Sequence, residues 1–103
     1  MNTMKLSLKN DVHVLTLTNN DGENMLNSSV LDEYLSALDQ VEGYEGNTAL
    51  LITCEHEKTF STGIDLSWLI KEDDAGRAAF VQKLETLLYR LAMLNAPSVV
   101  CIN

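Results

Sequence analysis

The sequence predicts an α/β fold, in the order β-hairpin, helix, strand, short helix, long helix, strand. Three observations predict it. Met4–Lys9 and Val12–Thr18 carry the strand pattern on either side of a short turn, Asn10-Asp11. Ala49–Cys54 is apolar almost throughout. Two stretches, Val30–Val41 and Phe80–Leu94, repeat apolar residues at helical spacing.

In Met4–Lys9, Leu6 and Leu8 alternate with polar neighbours, the period of a strand with one buried face. Val12, Val14, Leu15 and Leu17 make the second strand, and the two segments read as a hairpin. His13 lies within it and reads as a surface or hydrogen-bonded histidine. Asn19–Asn24 is a loop by composition, with Gly22 available for positive φ. Asn27 or Ser28 can cap the following helix, with Asp32 and Glu33 in its first turns, where the dipole favours anions. Val30, Leu31, Tyr34, Leu35, Leu38 and Val41 form its apolar stripe, and Gly43 and Gly46 close it.

The unbroken run Ala49–Cys54 fits a strand covered on both faces of a parallel or mixed sheet. A polar linker, Glu55–Thr59, leads to the bend Phe60-Ser61-Thr62-Gly63-Ile64-Asp65-Leu66 and a short helix through Ile70. Asp73 or Asp74 can cap the long helix, whose stripe is Phe80, Leu84, Leu87, Leu88, Leu91 and Leu94. Pro97 ends it, since it cannot continue the hydrogen-bond ladder. Val99–Ile102 opens a last apolar strand that expects cover no later element supplies, so the chain reads as the front part of a longer protein.

Composition narrows the function classes. With 103 residues and 46% hydrophobic content, the chain fits one small globular domain. Fifteen acidic against seven basic residues leave a net charge of −8, which argues against nucleic acid and anionic membranes as partners. No run approaches the roughly 20 apolar residues of a membrane span. Cys54 and Cys101 lie in apolar runs and read as small buried hydrophobes, consistent with a reducing, cytoplasmic setting. Glu55-His56-Glu57 has metal-binding residue types, but neighbours on one loop seldom converge on one ion, so no metal site is expected. No Gly-x-Ser-x-Gly elbow or glycine-rich phosphate loop is present. Trp68, on the short helix, reads as core, with pocket lining as the alternative.

The Phe60–Leu66 bend is the place for chemistry. A glycine turn running into a helix presents main-chain N–H groups without intrahelical partners, able to meet negative charge developing on an oxygen. Gly63 lets a substrate come close to the backbone.

Read together, the segments resemble the enoyl-CoA hydratase/isomerase (crotonase) superfamily over nearly the whole chain. Val12–Thr18 is similar to its second strand, and Glu23-Asn24-Met25-Leu26-Asn27 to its loop into the first helix. Ala49–Thr53 is similar to its third strand, Phe60–Leu66 to its most recognisable element, and Asn95–Asn103 to the helix end and strand that follow. Phe-Ser-x-Gly-x-Asp-Leu leans toward the Δ3-Δ2-enoyl-CoA isomerases.

The resemblance implies a ββα spiral of which residues 1–103 are the N-terminal part. It also implies an acyl-CoA thioester as substrate, coenzyme A entering as part of that substrate and not as a separate cofactor. The thioester oxygen would sit in an oxyanion hole of two main-chain N–H groups, one of them that of Ile64, with Gly63 supporting the turn. Ser61 would line the coenzyme A channel with Thr62 beside it, Asp65 would support the turn, and Met25 and Leu26 would contact the coenzyme A moiety. The family's second oxyanion donor and catalytic carboxylates fall beyond the strand beginning at Val99, so this stretch alone should not catalyse. Full-length relatives commonly assemble as trimers or pairs of trimers, and a homo-oligomer is expected on that ground. Two rival readings remain: a non-catalytic acyl-CoA-binding or interaction module, and an unrelated small α/β domain.

Overall fold

The computed structural model describes residues 2–19, 23–56 and 59–102. The Asn20-Asp21-Gly22 part of the first loop, Glu57 of the Glu-His-Glu run and Asn103 lie outside the described residues.

β1 (Met4–Lys9) and β2 (Val12–Leu17) pair antiparallel, with Leu6 opposite Leu15 and Lys9 opposite Val12. Asn10 and Asp11 connect them at φ 51° and 64°. Two consecutive left-handed residues are what a two-residue type I′ hairpin needs, and Asn and Asp tolerate that region better than other non-glycine residues. β3 (Ala49–Cys54) then runs parallel to β2, and β4 (Ser98–Val100) parallel to β3, giving a mixed sheet in the order β1-β2-β3-β4. Each parallel step needs a helical crossover. α1 (Ser28–Glu42) supplies the first; α2 (Leu66–Lys71) and α3 (Asp74–Ala92) supply the second.

The helix ends follow from side-chain chemistry. The Asn27 carboxamide oxygen accepts the Val30 N–H at 3.0 Å, and Gly43 closes α1. The Asp73 carboxylate accepts the Gly76 N–H at 2.7 Å at the start of α3. Asp32 and Glu33 lie past the first turn of α1, where no acidic residue stands. They are used elsewhere: Asp32 pairs with Lys83 of α3 at 2.9 Å, and Glu33 accepts the Asn2 and Thr3 N–H groups, which fastens the chain's start to α1.

Met4, Leu15, Leu17, Leu50 and Ile52 from the sheet meet the α1 stripe and Phe80 and Leu87 of α3 in one core. Ala37 joins the α1 stripe, with Leu35 only partly buried at its margin. β3 is not enclosed on both faces here. Leu50 and Ile52 are buried while Ala49, Leu51 and Thr53 are half-buried, because both long helices lie on the same side of the sheet. Leu88 is 58% exposed, since Leu84, Leu87 and Leu91 already fill the face of α3 that meets α1. Cys54 is half-buried and Cys101 exposed, the latter because β4 stops at Val100 and carries no cover. His13 is buried and hydrogen-bonded to Thr48. Among the described residues, no helix is long and apolar enough to cross a membrane.

Candidate functional site

Parallel pairing brings the carboxyl ends of β2 and β3 side by side, and in the loops that leave them residues 23–26 run beside residues 60–65. In open α/β sheets ligands gather at that end of the strands. Main-chain bonds stitch the loops: the Thr62 N–H donates to the Glu23 carbonyl at 2.7 Å, and the Leu26 N–H to the Gly63 carbonyl at 2.9 Å. The Asp65 N–H returns to the Leu26 carbonyl at 2.9 Å. This is a single parallel bridge between Leu26 and Ile64.

The bridge fixes a direction. Leu26 uses both of its main-chain groups on the residues flanking Ile64. In a trans peptide the C=O and the N–H point opposite ways, and the chain has no cis bond among the described residues. With the Gly63 carbonyl held by Leu26, the Ile64 N–H is therefore turned away from the 18–27 loop. It has no acceptor among the described residues. Gly63 sits at φ 90°, in the left-handed region, and a Cβ built there would meet nothing within 4 Å. Glycine is required by the backbone angle, and open space lies beside the amide that follows it.

The Ser61 hydroxyl donates to the Asn24 carbonyl at 2.9 Å and accepts the Gly63 N–H at 3.1 Å. Both of its hydrogen-bonding roles are thus taken up within the two loops. Thr62 is exposed, its hydroxyl donating to the Glu23 carbonyl at 3.2 Å. The Asp65 carboxylate accepts the Trp68 N–H at 3.2 Å and its carbonyl accepts the Leu69 N–H at 3.0 Å. Those helix-head amides are consequently covered, and an anionic side chain occupies the head of a six-residue helix. The Ile64, Leu66 and Ser67 N–H groups have no acceptor among the described residues, and Ile64 is the one whose direction the bridge to Leu26 fixes. Leu26 packs its side chain on the core, and Met25 beside it is half-buried.

Sequence reasoning missed Asn24. It is 4% exposed, lies at φ 43° and bonds to both loops. Its tolerance of left-handed backbone was the available signal, and Asn19 and Asn20 share it. On the far side of the bend, the His56 Nδ1 accepts the Thr59 N–H at 3.1 Å, and the Cys54 thiol faces the His56 and Thr59 carbonyls. These contacts shape the loop. Among the described residues, no group of three or more His, Cys, Asp or Glu side chains is placed to hold a metal ion. A groove of about 530 Å³ lies at the opposite end of the strands, between Val41–Thr48 and Leu94–Pro97.

A mixed α/β sheet with crossover helices on one face, and two strand-end loops that turn one amide outward, defines the front of a crotonase-type fold. The sequence model for enoyl-CoA hydratase/isomerase matches residues 7–103, and the chain belongs to that family. Enoyl-CoA delta isomerase 3 from Arabidopsis thaliana is 31% identical over 104 residues, covering 95% of this chain and 42% of the relative. The peroxisomal enoyl-CoA delta isomerase 2 of the same plant is 29% identical over 103 residues, with the same coverage. Both stand on the isomerase side toward which the Phe60–Leu66 motif leans. The crystal structure of an enoyl-CoA hydratase from Shewanella pealeana superposes with a TM-score of 0.87 at 22% identity, over 98% of this chain and 39% of that one, which establishes the fold. The chain thus spans about two fifths of the length of the relatives it matches.

Proposed function

We propose that this chain contributes one half of an oxyanion hole for an acyl-CoA thioester, in an enzyme that shifts the double bond of a 3-enoyl-CoA to C2. The observation that carries the reading is the outward Ile64 N–H, fixed by the Leu26 to Gly63 hydrogen bond and unspent on any described residue. Removing a proton from C2 of a thioester places negative charge on the thioester oxygen, and a preorganised N–H donor there stabilises the enolate by roughly 3–4 kcal/mol. Return of the proton at C4 completes the isomerisation. The carboxylate that moves the proton and the second N–H donor belong, on the family resemblance, to positions after residue 103. Gly63 leaves room for the thioester to reach the amide, and the half-buried Met25 supplies apolar surface near the coenzyme A end. Addition of water to a 2-enoyl-CoA would use the same oxyanion donor; the isomerase relatives favour the first reaction.

Substituting Ile64→Pro in the full-length protein tests this, because proline removes the N–H; since it also fixes φ at 64 and restricts Gly63, the variant's urea midpoint must match wild type for the rates to be compared. The expected result is a loss of about 10²–10³-fold in kcat for a 3-enoyl-CoA, with Ile64→Leu close to wild type. Full activity in Ile64→Pro would sink the assignment. Binding of acyl-CoA without turnover by the wild-type protein would favour a binding module instead.

A further inference from the structure

We propose that Asn24 is a positioning residue for the Ile64 amide, a role that rests on the acyl-CoA reading above. Its side chain and main chain bond to three residues of the two loops at once, Asn19, Phe60 and Ser61. The carboxamide nitrogen donates to the Phe60 carbonyl at 2.8 Å, and the carboxamide oxygen accepts the Asn19 N–H at 2.9 Å. The Asn24 N–H returns to the Asn19 carbonyl at 3.2 Å, which closes a small ring across the first loop. Its own carbonyl accepts the Ser61 hydroxyl at 2.9 Å, and that hydroxyl in turn accepts the Gly63 N–H at 3.1 Å.

The chain of bonds ends on the residue that bears the outward amide's peptide. Gly63 is held at its N–H through Ser61 and Asn24, and at its carbonyl by Leu26, two residues after Asn24. Two fixed points define the orientation of the Gly63–Ile64 peptide, and with it the line along which the Ile64 N–H points. A glycine without them has the widest backbone freedom of any residue. Burying an amide side chain at 4% exposure is costly unless it is bonded, and here its donor and acceptor are both engaged on the loops that frame the site. At φ 43° the backbone is one that asparagine and glycine accept, which makes Asn24→Gly a side-chain deletion with little strain. Asn24→Asp keeps the acceptor for Asn19 but replaces the donor to Phe60 with a carboxylate oxygen.

The test compares wild type, Asn24→Gly and Asn24→Asp in the full-length protein with 3-hexenoyl-CoA, with rates scaled to folded enzyme. Misaiming one donor should lower kcat about 10- to 100-fold in both variants, while KM stays within about twofold. Unchanged kcat, or a rise in KM alone, would overturn the proposal. Amide hydrogen exchange supplies the second readout. The Gly63 and Leu26 amides should exchange about tenfold faster in the variants, with Leu50 in β3 unaffected. Equal acceleration at Leu50 would mean general destabilisation and would also overturn it. If the wild-type protein turns over no enoyl-CoA, the reading of function fails, and the exchange comparison alone decides whether Asn24 positions this peptide.

Discussion

Trp68 meets Phe80 edge-on, with ring centroids 5.4 Å apart and planes at 61°. Phe80 is 1% exposed at the centre of the core, whereas α2 has no fully buried residue and rests on the core through Trp68 and Leu69. The helix that follows the Ile64 bend is therefore held down by side chains reaching into α3. Phe80→Ala should cost about 3–5 kcal/mol of stability, through lost burial and the cavity left behind. Phe80→Leu should cost distinctly less. Urea unfolding measures both, and hydrogen exchange at Leu69 should rise more steeply than at Leu38 in the leucine variant. A uniform rise would show that α2 does not depend on this contact.

Polar ties between α1 and α3 are weaker, although they are more numerous. The Arg90 guanidinium bonds Asp39 at 2.8 Å and Glu42 at 2.9 Å. The hydrogen bond it donates to Glu42 is the main cause holding its pKa above the ordinary arginine value, so it stays charged at any pH at which the protein is handled. Its partners are largely open to water, which screens the attraction. Arg90→Met should cost about 1 kcal/mol at low ionic strength and clearly less in 1 M salt. The urea midpoint at the two salt concentrations measures this. A loss as large as that of Phe80→Ala, insensitive to salt, would make this ion pair a principal support of the α1–α3 contact.

The parts of the fold that could be read in advance are those set by neighbours in sequence. Period two in Leu6 and Leu8, with Asn10-Asp11 between the strands, is enough for the hairpin, and Asn27, Asp73 and Pro97 mark helix ends by local chemistry. Residues whose burial depends on distant elements were less legible. An unbroken run such as Ala49–Cys54 is apolar on both faces and does not reveal that α1 and α3 cover just one of them. Leu88 has the same spacing as Leu84 and Leu91 yet faces solvent. The site divides in the same way. Ile64 and Gly63 were marked by the family motif, but the direction of their shared peptide comes from Leu26, 37 residues before the Gly63 carbonyl that it holds. Asn24 bonds Phe60 across 36 residues, a pairing that no local pattern encodes.

Tyr34 gives a pH dependence. Burial raises its phenol pKa from 10.0 to about 12, because the charged form is poorly solvated among the core residues of α1. The folded state thus holds the proton more tightly than the unfolded one. The associated stability is fully present below pH 10 and is lost as pH rises toward 12, on the order of 2–3 kcal/mol in all. Tyr34→Phe should flatten that part of the profile. Urea midpoints between pH 9 and pH 12 measure it, and parallel curves for the two proteins would contradict the assignment.

At the other end of the sheet, one hydroxyl decides a tautomer. Thr48 Oγ1 lies 2.7 Å from the Asp11 carbonyl and 2.7 Å from the Nδ1 of buried His13. A carbonyl can only accept, so the single hydroxyl hydrogen goes to Asp11 and the histidine must supply the other one. His13 therefore carries its proton on Nδ1, with Tyr44 edge-on to the ring at 5.1 Å. The commoner neutral form in water has the proton on Nε2, so the expected result departs from the default. Nitrogen-15 NMR of the imidazole separates the two forms directly, and an unprotonated Nδ1 would refute it. Thr48→Val removes the acceptor and should strand the Nδ1–H, costing about 1–3 kcal/mol. Thr48→Ser keeps the hydroxyl and should restore both the tautomer and most of the stability.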